Sequence, residues 1–213
     1  MKKIVLFDID YTLSDRMYLR NFGRKYLARL VGQKVDNINP VVDAIIQESN
    51  RCFQIFDIFF YAKRIAAEYQ NRLLEQKIID MFLIYYPYGQ ALYPEVKRVL
   101  KRLKQNYILG IQSDGQEIFQ LKKIEPIRQY FNKNYIFIFK NKTDEIYEKI
   151  KSYARQLVVV DDKPMHIQKL AQRGIRAILV KRGIYAAQWL HNPQKFPAIK
   201  EIVETLDDLI NLL

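Results

Sequence analysis

The stretch IVLFDIDYTL, residues 4–13, decides the fold of this chain. Its first half, Ile4–Phe7, is a run of apolar, mostly branched residues, which is typical of a strand buried on both faces of a parallel sheet. Its second half places two aspartates, Asp8 and Asp10, directly after that run. The sequence therefore predicts a buried strand that ends in acidic side chains.

Similar apolar runs recur along the chain. Residues 108–111, 157–160 and 177–180 are the clearest, and residues 135–139 are a further candidate. Helical patterns lie between them, with apolar residues recurring on one helical face. Because strands and helices alternate, we expect an α/β fold built on a doubly wound parallel sheet. Ligands of such sheets bind at the carboxyl ends of the strands.

Residues 15–87 interrupt this alternation. They follow a helical pattern throughout and contain no convincing strand. The pair Asn39-Pro40 predicts a turn inside this stretch. We therefore expect an inserted all-α cap domain over residues 15–87 and an α/β core domain formed by residues 1–14 and 88–213.

The composition restricts the class of protein. The chain has 213 residues, 49% of them hydrophobic, which suffices for one substantial core with an insertion. Cys52 is the single cysteine, so an intramolecular disulfide is excluded and a reducing cytoplasm is expected. No run approaches the roughly 20 apolar residues of a membrane span, so no membrane partner is expected. A formal net charge of +12 attracts anions, from phosphorylated metabolites to nucleic acids.

Polar residues follow the predicted strands. In chain order they are Asp8 with Asp10, Ser113 with Asp114, and Asp161 with Asp162. Carboxylates that converge on one crevice repel each other unless a cation lies between them. Magnesium suits such a site, because it takes one or two carboxylates together with phosphate oxygens and water. We therefore expect a Mg²⁺ site at this edge of the sheet, where hydroxyl and ammonium groups would hold phosphate oxygens.

These clusters, in this order, resemble the motifs of the haloacid dehalogenase (HAD) superfamily, a large group of mainly phosphatases. The residues that carry the resemblance are Asp8, Asp10, Thr12 and Leu13 for the first motif, Ser113 for the second, and Asp161 with Asp162 for the fourth. The resemblance covers the whole predicted core and implies a Rossmann-like sheet. The helical insertion resembles the C1-type cap of subfamily I.

The resemblance implies separate roles for the aspartates. Asp8 would attack phosphorus and form an aspartyl-phosphate, which an ionised carboxylate can do without a neighbouring base. Asp10 would protonate the leaving oxygen and then take a proton from the hydrolytic water. The implied metal ligands are Asp8, the backbone carbonyl of Asp10 and Asp162, with Asp161 either a further ligand or a partner of one.

The same resemblance implies groups that hold the phosphoryl group. Ser113 would donate a hydrogen bond to it, and a lysine of the third motif would neutralise charge that the phosphate shares with Asp8. Lys142 is the favoured lysine and Lys140 the alternative. Asp114 is a further candidate for substrate binding.

The cap would close over the phosphate and contact the leaving group. Its candidate contact residues are Arg16, Tyr18, Arg20 and Arg51. Arginine suits this role because its guanidinium binds carboxylate and phosphate with a forked geometry. The aromatic run over residues 53–61 is instead expected to form the interior of the cap.

Together these features predict a magnesium-dependent phosphatase, a phosphoric monoester hydrolase acting on a small phosphorylated metabolite. A phosphomutase of the same family is an alternative, because it retains both aspartates and differs in which group receives the phosphoryl. A dehalogenase needs no second acid, so Asp10 argues against it. The basic surplus also permits a nucleic-acid-binding protein that processes terminal phosphates, although no nucleic-acid-binding motif supports it. A monomer and a dimer are both compatible with the sequence.

Overall fold

A parallel sheet forms the centre of the protein. The computed structural model describes residues 2–140 and 142–213, apart from the side chains of residues 142–144 and 153. Within this part of the chain the strands are β1 (Ile4–Phe7), β2 (Ile108–Asp114), β3 (Ile136–Phe139), β4 (Leu157–Asp161), β5 (Arg176–Val180) and β6 (Glu201–Val203). They lie in the order β3-β2-β1-β4-β5-β6, and every neighbouring pair is parallel. The predicted α/β fold with a parallel sheet is confirmed.

The strands match the sequence pattern closely, with one exception. β1 coincides with the apolar run at residues 4–7, and the runs at 108–111, 157–160, 177–180 and 135–139 each overlap an observed strand. The sequence does not predict β6, which has only three residues and pairs with β5 at the edge of the sheet. So short a strand is below the length at which an alternating or apolar pattern can be recognised.

Helices form the inserted segment between β1 and β2. They are α1 (Arg16–Val31), α2 (Val35–Phe53), α3 (Ile58–Glu68) and α4 (Leu73–Asp80), followed by a π-helical turn at Met81–Tyr85. Asp15 starts α1, since its carboxylate accepts hydrogen bonds from the backbone N–H groups of Met17 and Tyr18 at 2.8 and 3.1 Å.

The remaining helices follow this segment along the chain. They are α5 (Tyr88–Ala91), α6 (Val96–Leu103), α7 (Glu117–Ile124), α8 (Lys142–Ile150), α9 (Pro164–Gln172), α10 (Ala186–His191) and α11 (Leu209–Leu212). Short 3₁₀ turns cover Glu125–Tyr130, Lys133–Tyr135, Lys151–Gln156, Gly183–Tyr185, Pro193–Lys195 and Leu206–Asp208. No described helix combines the length and the apolar character that crossing a membrane requires.

The predicted turn at Asn39-Pro40 is wrong, because α2 continues through both residues. Proline removes one intrahelical hydrogen bond and strains the preceding turn. The apolar stripe of α2 nevertheless runs past it, with Ile38, Val42 and Ile45 all buried in the helical insertion. Burial of this stripe outweighs the lost hydrogen bond.

Both faces of the sheet are covered. Val5 and Phe7 of β1 belong to one buried apolar cluster, whereas Ile4 and Leu6 belong to a second cluster on the opposite face. A third cluster lies within the helical insertion and includes Phe119 of α7. The alternation of side chains along β1 therefore anchors this strand between two helical layers.

The two connections to the helical insertion run side by side. The Asp15 N–H donates to the Ala91 carbonyl at 2.7 Å, and the Tyr93 N–H donates to the Leu13 carbonyl at 3.1 Å. The insertion therefore enters and leaves the sheet at one point, directly beside the loop that follows β1.

We expect Gly110→Ala to destabilise the protein. A Cβ at Gly110 of β2 would lie 2.3 Å from the backbone carbonyl oxygen of Tyr135 and 2.6 Å from a methyl carbon of Leu6. Overpacking of this kind costs about 1–3 kcal/mol of unfolding free energy, or more where backbone must move. Urea denaturation should show this loss.

Gly89→Ala is the matched control for that experiment. A Cβ at Gly89 would meet only Pro126, at an ordinary 3.8 Å, and alanine favours the helix, so stability should change by less than about 1 kcal/mol. Equal unfolding midpoints for the two variants would contradict the close approach inferred for β2.

Candidate active site

Three carboxylates meet at the carboxyl edge of the sheet. In the register of β1 and β4, Phe7 lies opposite Val160, which brings the next residues, Asp8 and Asp161, side by side. The carboxylate oxygens of Asp8, Asp161 and Asp162 lie within 4.8 Å of one another, and all three residues are buried. The structure thus brings together three of the acidic residues predicted from the sequence.

Asp161 is held by donors on both of its oxygens. Gln112 Nε2 donates to Oδ2 at 2.7 Å, and the backbone N–H of Lys163 donates to Oδ1 at 2.8 Å. Gln112 is fully buried on β2, and its side chain spans the site. The sequence prediction missed Gln112, although a polar residue inside an otherwise apolar strand is the signal that could have identified it.

The loop after β1 turns tightly. The N–H groups of Leu13 and Ser14 both donate to the Ile9 carbonyl, at 2.9 and 3.0 Å. Tyr11 adopts a left-handed backbone with φ of 59°, which is uncommon for a bulky residue and recurs at functional sites. This turn separates Asp10 from Asp8 and directs the Asp10 side chain into the cavity described below.

Asp10 forms a buried ion pair with Lys123 of α7. The ammonium Nζ lies 2.7 and 2.9 Å from the two carboxylate oxygens, and the Lys123 and Asp10 side chains are only 4% and 18% exposed. The same ammonium group lies 4.5 Å from the centre of the Phe119 ring. Lys123 is thus a charged component of the site to which the sequence prediction gave no role, since nothing in local spacing links α7 to the β1 loop.

The pair sets the charge state of Asp10. Burial raises the pKa of this carboxyl, but Lys123 and Arg16 together outweigh burial and hold the pKa below its ordinary value. Burial in turn lowers the pKa of Lys123, and Asp10 partly offsets that effect. The lowered pKa favours the ionised form of Asp10 and makes it a weaker base than an ordinary aspartate. Its predicted role as a general acid requires it to become protonated first and stays a prediction.

The end of β2 is fixed by Gln120 of α7. Its Nε2 donates to the Asp114 carbonyl at 2.9 Å, and the Ser113 hydroxyl lies 3.5 Å from its Oε1. Gly115 has a φ of 138°, and a Cβ there would lie 2.3 Å from Gln120 Nε2, so glycine is needed for this turn. The Asp114 carboxylate pairs with Lys163 Nζ at 2.9 Å, which links the loops after β2 and β4.

The two candidates for the third-motif lysine differ in what can be said of them. Lys142 begins α8, but its side chain lies outside the described residues. Lys140 follows β3 and is exposed. The choice between Lys140 and Lys142 therefore stays a prediction. Among the residues that the structure describes, Lys123 and Lys163 place their ammonium groups in the lining of the site.

A cavity of about 460 Å³ lies between this edge of the sheet and the helical insertion. Of the residues predicted to contact substrate, Arg16 and Arg20 line it, whereas Tyr18 and Arg51 do not, and the contact itself stays a prediction. Tyr18 instead donates its hydroxyl hydrogen to Gln90 Oε1 at 2.8 Å. Within the described part of the chain, Arg16 makes no hydrogen bond or ion pair of its own.

Solved structures with the same fold are numerous, whereas no family model and no curated protein matches the sequence. A haloacid dehalogenase-like hydrolase from Burkholderia xenovorans is 22% identical with a TM-score of 0.77, over 99% of this chain and 98% of that chain. A HAD-hydrolase from Bacillus subtilis, whose structure is bound to magnesium, is 17% identical with a TM-score of 0.67, over 100% of this chain and 98% of that chain.

A HAD phosphatase from Thermococcus onnurineus is 17% identical with a TM-score of 0.61, over 100% of this chain and 97% of that chain. Dehalogenases with the same fold also match. At these identities the likeness establishes the fold, and the resemblance inferred from the motifs is confirmed at that level: the chain has the fold of the HAD-like hydrolases.

Replacing Lys123 with methionine should lower the free energy of unfolding, and the loss should be smaller at acidic pH than at neutral pH. Methionine keeps much of the side-chain volume but removes the closest cation from Asp10. Removing one partner of a buried ion pair costs about 3–5 kcal/mol, and the partial exposure of Asp10 places our expectation at the lower end of that range. Urea denaturation measures the loss.

The pH dependence follows from the direction of the Asp10 shift. Because its pKa is lowered in the folded wild type, the pair stabilises the protein above the ordinary aspartate pKa, and this is lost as pH falls through the folded-state value. Without Lys123, Asp10 should take up a proton at higher pH, so the difference between variant and wild type should shrink from about pH 7 to about pH 4. Replacing the half-buried neighbour Lys122 with methionine should lower the free energy of unfolding by less than about 1 kcal/mol. A pH-independent loss for Lys123→Met would contradict the pairing.

Proposed function

We propose that this chain is a magnesium-dependent hydrolase of the HAD superfamily that removes phosphate from a small phosphomonoester through an aspartyl-phosphate on Asp8. The convergence of Asp8, Asp161 and Asp162 is the observation that carries this proposal. A phosphomonoester is doubly charged and would be repelled by a carboxylate nucleophile. A haloalkane carbon carries no such charge, so a cluster of buried acids that suits a divalent cation favours phosphoryl transfer over dehalogenation.

The donor set fits magnesium. Carboxylate oxygens are hard ligands of the kind that Mg²⁺ prefers, and they lie close enough to share one ion. Asp8, Asp162 and the backbone carbonyl of Asp10 would hold it, while Asp161, whose oxygens already accept two protein hydrogen bonds, would orient its neighbours. When bound, the ion supplies positive charge to the phosphoryl oxygens.

The chemistry would proceed in two steps. A carboxylate oxygen of Asp8 forms a bond to phosphorus as the bond from phosphorus to the leaving oxygen breaks, and that oxygen takes a proton from protonated Asp10. Water then attacks the phosphorus of the aspartyl-phosphate and gives a proton to Asp10. This step releases inorganic phosphate and restores the Asp8 carboxylate. Ser113 and the third-motif lysine would hold the phosphoryl oxygens during both steps.

The helical insertion would act as the cap of this site. We assign residues 15–87 to a cap domain and residues 1–14 and 88–213 to the core, because the insertion supplies one wall of the cavity and joins the core at one point. Such an arrangement excludes water from the reacting groups when the cavity is closed. Cys52 is an exposed free cysteine, in keeping with the reducing cytoplasm that we propose as its location.

Asp8→Asn should abolish phosphatase activity without loss of fold. The amide is close in shape to the carboxylate but cannot form the phosphorylated intermediate. Release of inorganic phosphate from p-nitrophenyl phosphate should stop in this variant and, in the wild type, should stop on chelation and return with magnesium. Asp15→Asn is the matched control, since asparagine also caps a helix and Asp15 lies outside the acidic cluster. Halide release from haloacids, or activity that persists in chelator, would refute the proposal.

Asp10→Asn should reveal a proton-transfer role by its dependence on the leaving group. General acid–base groups contribute about 10²–10⁴-fold to the rate. The loss should be large for an alkyl phosphate, whose alkoxide must be protonated, and smaller for p-nitrophenyl phosphate, whose phenolate leaves unaided. With the activated ester, phosphorylated Asp8 should accumulate in single-turnover experiments, because the water lacks its base. Equal losses on both esters, with no trapped intermediate, would make Asp10 a structural residue.

A further inference from the structure

The cavity beside the acidic cluster has walls of contrasting character. At the sheet edge its lining includes the charged side chains of Asp10, Asp114, Lys123 and Lys163. The helical insertion adds aromatic and aliphatic side chains to the lining, together with the polar side chains of Arg20, Arg24, Asp43, Asn50 and Gln54. Given the proposed phosphatase reaction, on which this inference rests, the group that occupies the inner part is the alcohol attached to the phosphate.

Aromatic rings form the inner wall. Phe56 and Phe82 of the insertion and Phe119 of α7 contact one another, with ring centres 5.4 to 5.9 Å apart. Tyr61 and Tyr86 continue the same wall. A flat ring would gain stacking or edge contacts with these rings, whereas a hydroxyl group pressed against a ring face would lack a hydrogen-bond partner there, which is costly.

The sequence predicts that the aromatic run over residues 53–61 forms the interior of the insertion. The structure shows that part of this run instead borders the cavity. Phe56 lies in the loop between α2 and α3, is only half-buried, and borders the cavity. Phe53, by contrast, is exposed and contacts Phe60 away from the cavity. The run therefore divides into two rings that border the cavity, Phe56 and Tyr61, and others that do not.

Arginines line the cavity along α1. Arg16, Arg20 and Arg24 are four residues apart, so they lie on one helical face with a rise of about 6 Å between successive side chains. Arg20 and Arg24 share a single carboxylate, that of Asp43, so this pair retains a net positive charge. Arg20 spends one N–H group on Asp43 at 2.8 Å and is 43% exposed, which leaves donors available to a ligand.

We infer that the substrate is a phosphomonoester whose alcohol carries a flat heteroaromatic ring with hydrogen-bond acceptors, such as a nucleoside monophosphate. The phosphate would lie at Asp8, a short polar linker would pass Arg16 and the Asp114–Lys163 pair, and the ring would pack against Phe56 and its neighbours. Arg20 would donate to a ring carbonyl or nitrogen. A cavity of about 460 Å³ is within the usual size for a ligand of this kind.

Uridine monophosphate and ribose 5-phosphate test this inference, because the second carries a hydroxyl group at the position where the first carries the uracil ring. For the wild-type protein we expect kcat/KM to be at least about 10-fold higher for uridine monophosphate. Phe56→Leu should reduce the ratio of the two values by about 3- to 10-fold, since it removes one ring contact but keeps an apolar side chain. Phe53→Leu is its matched control and should leave the ratio unchanged.

Arg20→Met supplies an independent variant. It should lower the same ratio by about 10-fold, because a hydrogen bond from a charged donor is lost. Arg64→Met is its control, as Arg64 forms a comparably exposed ion pair with Glu48 outside the cavity. Unchanged ratios in both Phe56→Leu and Arg20→Met would overturn the assignment of the ring site.

The outcomes separate this inference from the proposed function. Hydrolysis of ribose phosphate at least as fast as uridine monophosphate would overturn the substrate class and leave the phosphatase proposal intact. If no phosphomonoester is hydrolysed, the proposed function fails. Calorimetric measurement of uridine and ribose binding then tests whether the cavity binds a heteroaromatic ring. Uridine binding more tightly than ribose, with weaker binding in Phe56→Leu, would support it, whereas equal binding would overturn it.

Discussion

The enforced closeness of Asp8, Asp161 and Asp162, against their mutual repulsion, is the constraint on which the rest of the site depends. At the observed separation of up to 4.8 Å, two carboxylates repel by about 3–4 kcal/mol in a medium with an effective dielectric constant of about 20. The register of β1 and β4 imposes this closeness, and both strands are fixed by apolar burial on the two faces of the sheet. The site therefore concentrates negative charge where folding alone would avoid it, which is how proteins create affinity for a cation.

Features that depend on local sequence could be predicted. Strands buried on both faces need continuous apolar runs, so the sequence predicts β1 and β4. Because parallel strands share a direction, the acidic residues that follow them lie at the same edge of the sheet. The helical character of the insertion was equally visible, because its apolar residues recur with helical spacing. By contrast, Pro40 suggested a turn that tertiary burial of the α2 stripe overrides.

Features that depend on contacts between distant segments could not be predicted. Lys123 reaches Asp10 from a helix more than a hundred residues later, and its neighbour Lys122, with the same charge, faces solvent. Only the rotation of α7 on the sheet distinguishes them. Gln112 reaches Asp161 across β1, which no spacing reveals. The position of Phe56 in the cavity wall follows likewise from how the loop between α2 and α3 packs, and not from its composition.

Helix α7 couples the two halves of the site. Lys123 and Phe119 are four residues apart and so share one face of the helix, yet the first pairs with Asp10 and the second belongs to the apolar cluster of the insertion. The Lys123 ammonium group also lies over the Phe119 ring, so the two contacts share one set of atoms. One face of α7 therefore contributes both to the aromatic wall of the cavity and to the charged contact of Asp10, so the position of this helix fixes the distance between the two parts of the site.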